Sequence, residues 1–183
     1  MPVDDISTAV GIVPVEGRGS MPFAMLHGES LVAVASWALE DAGVELLDFT
    51  AAWSDVQARD AALVLHDPLC PGTPAEFLSR AVEAAADGAV VVGVRPVTDT
   101  VKTIDDGVLG ETVDREGLVE VASPVVLPAT VVAALSEQPV LDDFAELVAL
   151  LRERHEVTLM EAPPQARRVA DESDLRLVEQ LAG

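Results

Sequence analysis

The sequence predicts an α/β fold: a three-layer sandwich with a mostly parallel, Rossmann-like twisted sheet plus an extended β-arm. Three observations carry this. Short apolar runs at Ala9–Val15, Ala61–Leu65 and Ala89–Val94 alternate with helix-length segments, the pattern of buried parallel strands covered by helices. Half of the 183 residues are hydrophobic while aromatics make up only 3%, so the core is aliphatic. A stretch from Thr98 to Val121 alternates β-branched and polar residues, with turn signals at Asp105-Asp106-Gly107 and Glu116-Gly117, and reads as an arm or a pair of hairpins. The length suits one hydrophobic core and one domain over 1–183.

The elements follow in order. Ala9–Val15 is a first buried strand, and Glu16–Gly28, rich in glycine and broken by Pro22, is a loop. Ser30 is placed to cap a helix whose apolar stripe is Leu31, Val34, Ala38 and Leu39, with Gly43 as its stop. Val44–Phe49 reads as a second strand. Ala61–Leu65 is a strand that delivers His66-Asp67-Pro68 at its carboxyl end. A helix capped near Thr73, with Pro74 in its first turn, runs to Asp87-Gly88. After the arm, helices are expected at about 128–136 and 141–154, a short strand at Val157–Met160, and a last helix from about Asp171. In such sheets ligands sit beyond the carboxyl ends of the strands. That places Val15–Gly19, Asp67 and Thr98–Lys102 around one crevice.

Charge narrows the partners. The formal net charge is −21, from 32 acidic and 11 basic residues, and Lys102 is the sole lysine. Such a surface repels nucleic acid and anionic lipid, so neither is an expected partner. It serves solubility or faces a basic protein. A phosphorylated ligand needs arginines gathered locally, and Arg167-Arg168 is the only adjacent basic pair. The single Cys70 excludes an internal disulfide, the first ten residues (MPVDDISTAV) lack the positive start of a signal peptide, and no apolar run approaches a span of roughly 20 residues. These features predict a cytoplasmic protein.

Several residues carry two readings. Gly17 and Gly19 form either a plain turn or a phosphate loop after the first strand. Asp67 is a turn or capping residue, or a site carboxylate. Arg115 is either an interface ion-pair partner or a phosphate ligand. Asp142-Asp143 reads as a helix cap before a metal pair. Cys70 has only His66 nearby to activate it, and His27 and His155 lack ligand spacing, so no catalytic residue is assigned.

Ordered motifs then point to a family. Val13-Pro14-Val15-Glu16-Gly17-Arg18-Gly19 resembles a glycine-rich nucleotide loop, and Val64-Leu65-His66-Asp67 resembles "VHDAARP". Pro96-Val97-Thr98-Asp99-Thr100-Val101-Lys102 is similar to "PVTDTIK" and Thr112-Val113-Asp114-Arg115-Glu116-Gly117-Leu118 to "TVDRxGL". Arg168 followed by Asp174-Leu175 resembles the end of "IKIT-PEDL". Together these resemble the 2-C-methyl-D-erythritol 4-phosphate cytidylyltransferases of isoprenoid precursor synthesis. Such enzymes join a sugar-alcohol phosphate to the α-phosphorus of CTP and release pyrophosphate. The resemblance implies nucleotide contacts at Val15, Gly17, Arg18, Gly19 and Asp67. It implies sugar-phosphate contacts at Asp67, Thr100, Arg115, Ser123 and Arg168, and Mg2+ at Asp67 if the chain is active. It also implies a homodimer through an exchanged arm at about 103–120, with Arg115 reaching across the interface.

The chain departs from that pattern where charge matters most. Glu16 replaces a small residue in the loop, the loop's cationic positions fall near Ser20 and Pro22, and Cys70 stands at the arginine of "VHDAARP". The "GGxxRxxSV" segment that grips base and ribose is replaced by Thr50–Asp60, and "TPQ" becomes Ser123-Pro124-Val125. Transfer between anionic groups depends on positioned positive charge. The expected function is therefore that of a degenerate, cytidylyltransferase-like pseudoenzyme acting by binding a ligand, such as a small phosphorylated molecule, or a partner. The alternative is a divergent active cytidylyltransferase.

Overall fold

The computed structural model describes residues 9–48 and 50–181. Its central sheet uses six strands: β1 (Ala9–Ile12), β4 (Glu45–Leu46), β5 (Ala62–Leu65), β6 (Val90–Pro96), β9 (Val119–Leu127) and β10 (Val157–Glu161). Their spatial order is β10-β6-β9-β5-β1-β4. All neighbours are parallel except β9, which runs antiparallel between β5 and β6. Two short hairpins stand apart: β2 (Met25–Leu26) with β3 (Glu29–Ser30), and β7 (Lys102–Asp105) with β8 (Val108–Thr112).

The strands are apolar on both faces because helices cover both. On one face α1 (Leu31–Asp41) and α3 (Ala75–Ala85) bury Ala35, Leu39, Leu78 and Ala81 against Val64, Val91 and Val126. On the other, α2 (Trp53–Gln57), α4 (Ala129–Ala134) and α5 (Phe144–Leu151) bury Val56, Val131, Phe144 and Leu147 against Ile12, Leu65, Val92 and Leu127. The final helix α6 (Glu172–Leu181) closes the carboxyl edge, packing Leu175 and Val178 with Val169, Leu69 and Leu31. The predicted three-layer sandwich and mostly parallel sheet are what the chain adopts.

Several local expectations need correction. The buried stripe of α1 is Leu31, Ala35 and Leu39, not 31, 34, 38 and 39, because an i, i+4, i+8 row meets the sheet. Ser30 does cap α1, accepting from the Ala33 amide. Thr73 does not cap α3: its hydroxyl donates to the Cys70 carbonyl, and Pro74 holds the cap position. The second strand shrinks to Glu45–Leu46, and Phe49 lies outside the described residues. The five-residue α2 was not foreseen. The arm keeps its hairpin, with Asp106 and Gly107 both at positive φ between β7 and β8, as a two-residue turn requires. The sequence after the arm, however, is the nine-residue β9, which returns to the centre of the sheet.

Candidate functional site

Four segments meet at the carboxyl edge of the sheet. The end of β1 leads into Pro14–Gly19, the end of β5 into His66-Asp67, the turn before α5 carries Asp142 and Asp143, and a loop after β10 carries Arg168. Two cavities open there. The larger, about 470 Å³, is bounded by Ile12, Val15, Glu16, Thr50, Gln138 and Asp142 among others. The smaller, about 230 Å³, lies between Gly17, Arg18, Asp67, Asp142, Phe144 and Arg168.

Asp67 is the hub. Its Oδ1 accepts from Arg18 Nε at 2.9 Å and from the Leu69 amide at 3.0 Å, and its Oδ2 accepts from Arg168 Nε at 2.9 Å. Burial alone would raise this carboxyl. The Arg18 charge, the Leu69 amide and Arg168 outweigh burial and hold it below the ordinary carboxylate value. Arg168 is likewise pushed above its usual value: burial opposes the shift, and the hydrogen bond and charge of Asp67 overcome it.

Arg18 is turned inward, not toward the loop rim. The side chains of Arg18 and Asp67 are only 1% and 4% exposed. Nη1 of Arg18 donates to the Glu16 carbonyl at 2.7 Å and to the Leu141 carbonyl at 3.0 Å, and the guanidinium lies 5.2 Å from the Phe144 ring centroid. One side chain thus ties together the loop after β1, the end of β5 and the start of α5. Gly17 makes the turn possible: it sits at φ +71°, and a Cβ there would stand 2.6 Å from Asp142 Cβ. The glycine-rich loop is therefore closed down onto Asp142. Gly72 serves the other side, since a Cβ there would lie 2.1 Å from the Gln165 carbonyl oxygen. That approach, with the Val169 amide donating to the Leu69 carbonyl at 2.7 Å, sets Arg168 beside Asp67.

Beneath Asp67 lies a buried polar pair. Ser123 Oγ accepts from the Asp67 amide at 3.0 Å and stands 2.6 Å from His66 Nδ1. Burial, only partly opposed by the Asp67 charge, lowers His66 to about 4, so the ring is neutral near pH 7. The arrangement leaving fewest groups unpaired has the Ser123 hydroxyl donating to Nδ1 and the ring proton on Nε2. Among the described residues Nε2 has no hydrogen-bond partner. Cys70 is buried too, and burial first, then the Asp67 charge, push its thiol well above the ordinary value. It offers no thiolate.

The structure brings Gly17, Arg18, Asp67 and Arg168 to one cavity and Val15 to the adjoining one. Gly19 lies in the exposed turn between them and α1. Ser123 is fully buried and braces His66 and Asp67 from below. Thr100 and Arg115 are exposed on the arm side, where Arg115 donates to the Thr98 carbonyl. Asp143 caps α5, accepting from the amides of Ala145 and Glu146. Reading the sequence missed the inward turn of Arg18 and the His66–Ser123 pair. They join residues 49 and 57 positions apart, and no local spacing signals them.

Mg2+ at Asp67 is not a fit for this donor set. A hard cation needs open carboxylate oxygens, and both oxygens of Asp67 already face a guanidinium. Among the described residues no three His, Cys, Asp or Glu side chains are grouped to hold a metal. The guanidinium groups of Arg18 and Arg168 line the smaller cavity with the carboxylates of Asp67, Asp142 and Asp143, while Glu16 and Asp142 line the larger. No helix among the described residues is long and apolar enough to cross a membrane.

Comparison with known proteins places this geometry among relatives. The family description 2-C-methyl-D-erythritol 4-phosphate cytidylyltransferase matches residues 49–181. A protein of that name from Symbiobacterium thermophilum is 36% identical over 95 residues, covering 51% of this chain and 40% of the relative. Another from Corynebacterium efficiens is 29% identical over 139 residues, covering 70% of this chain and 56% of the relative. The match thus spans about half the length of these relatives. The crystal structure of the Thermus thermophilus protein of the same name superposes with a TM-score of 0.71 at 23% identity, covering 96% of this chain and 98% of that one. At that identity the superposition establishes the fold.

Proposed function

The chain belongs to the 2-C-methyl-D-erythritol 4-phosphate cytidylyltransferase family, and from that premise we propose that it acts by binding a ligand or partner, without efficient CTP-dependent transfer. The observation that carries the reading is the inward turn of Arg18. Cytidylyl transfer needs positive charge and free N–H donors around the α-phosphate. Here the arginine of the glycine loop spends Nε and Nη1 on Asp67 and two backbone carbonyls. The cavity beyond β1 presents the carboxylates of Glu16 and Asp142 and, among the described residues, no lysine or arginine. A triphosphate entering it meets repulsion where it needs neutralisation.

The sugar-phosphate side retains more. Arg168 is partly exposed, keeps its Nε on Asp67 and lines the smaller cavity, which suits a small phosphorylated ligand. The arm carries Ile104, Val108 and Leu109, each about 70% exposed, which supports a homodimer in which a second copy covers them and Arg115 reaches the partner's crevice. One observation favours the active reading instead: a cavity of about 470 Å³ beside the loop is large enough for a nucleoside.

Isothermal titration separates the two. With Mg2+ present, CTP is expected to bind more weakly than ~1 mM, while methylerythritol phosphate gives a saturable isotherm that Arg168→Ala weakens. Saturable micromolar binding of CTP contradicts the proposal.

A further inference from the structure

The contacts of Asp67 decide what else this crevice can hold. Oδ1 holds Arg18 Nε and the Leu69 amide, and Oδ2 holds Arg168 Nε. Arg168 is partly exposed and can swing away. Arg18 cannot: its side chain is buried, two backbone carbonyls anchor Nη1, and Phe144 lies against its face. A cation taking a place on Oδ1 must evict a guanidinium that is part of the core.

We infer that Arg18 is the resident cation of this crevice, a permanent guanidinium seated on Asp67 where a divalent metal ion would otherwise sit. The substitution changes the chemistry in two ways. A guanidinium supplies one positive charge where a metal supplies two. It is also a directional donor whose Nε and Nη1 are aimed at protein oxygens, so it cannot rearrange to bridge the oxygens of an incoming polyphosphate as a metal does. Any anion the crevice accepts must therefore bind through Arg168 and neighbouring N–H groups, with no dependence on divalent cations. This deepens the binding reading above and rests on the same assignment of the crevice.

Mn2+ alone is the probe, followed by electron paramagnetic resonance on the intact chain. The wild-type protein is expected to show no Mn2+ binding that depends on Asp67, so wild type and Asp67→Asn give the same isotherm up to millimolar metal. Arg18→Met keeps an apolar stem against Phe144 and vacates the place on Oδ1 that the guanidinium holds, leaving only the Leu69 amide there. It is expected to gain one site, with affinity at least tenfold above the wild-type background, that Arg18→Met/Asp67→Asn loses. Circular dichroism confirms that each variant is folded. A single wild-type site abolished by Asp67→Asn overturns the inference, and so does a folded Arg18→Met that gains no site. If Arg18→Met fails to fold, the comparison of wild type with Asp67→Asn still decides it. Tight CTP binding without any Mn2+ site would overturn the function proposed above and leave this inference standing.

Discussion

Asp67→Ala is expected to lower the unfolding free energy by about 3–5 kcal/mol, the usual effect of removing one partner from a buried ion pair. The reason is what it leaves behind. Arg18 stays in the core with its charge facing no carboxylate, and the Leu69 amide loses its acceptor. Against a total stability of about 5–15 kcal/mol, that is a large share. Asp67→Asn keeps the shape and removes the charge, so it should lose nearly as much. The double variant Arg18→Met/Asp67→Asn should recover part of the loss, because the orphaned charge is gone too. Denaturant titration of the four proteins checks this. A loss under about 1 kcal/mol in Asp67→Ala would mean that Arg18 reaches solvent, and the closed loop would not be a stable feature of the fold.

Acidification should expose the second buried group. His66 is lowered to about 4 from an ordinary 6.5 by burial, which the Asp67 charge only partly opposes. Between those values the unfolded chain takes up a proton that the folded chain refuses. Stability is therefore full above pH 6.5 and declines toward pH 4, by roughly 3 kcal/mol in all. Asp67 acts in a lower window. Its folded value is depressed, so its contribution is present above 3.8 and is lost as pH falls further. The acidic surface pulls the other way, since protonating carboxylates relieves the self-repulsion of a −21 chain. Comparing wild type with His66→Gln removes that background. The difference between their stabilities is expected to shrink from pH 7 to pH 4 by about 3 kcal/mol. An unchanged difference would show that His66 is solvated or titrates normally.

Much of this fold was legible before any coordinates, for identifiable reasons. Strands β1, β5 and β6 are continuous apolar runs because helices cover both faces of the sheet. The Ser30 and Asp143 caps are local hydrogen bonds between residues two or three apart, so local sequence carries them. β9 escaped because its first part alternates like the arm while its second, apolar apart from Ser123, is buried throughout, and side-chain pattern says nothing about strand direction. Helix α2 escaped because five residues are too few to show a period. Asp67 and Arg168 were placed in one site by resemblance, and they are in contact. Arg18 was placed on a nucleotide loop by the same route. That route identifies the loop and not the direction of the side chain, which is fixed by Asp67, Leu141 and Phe144, all far along the chain.

The most direct test of the account is turnover. Purified protein at micromolar concentration, given CTP, Mg2+ and methylerythritol phosphate, is assayed for pyrophosphate release. On the proposed reading, each positioned donor lost at the transferring group costs about 10²–10³ in rate, so release is expected to match the protein-free control. Steady release above that control, lost in Asp67→Asn or Arg168→Ala, would contradict the account and make this chain a working cytidylyltransferase with a rebuilt nucleotide loop.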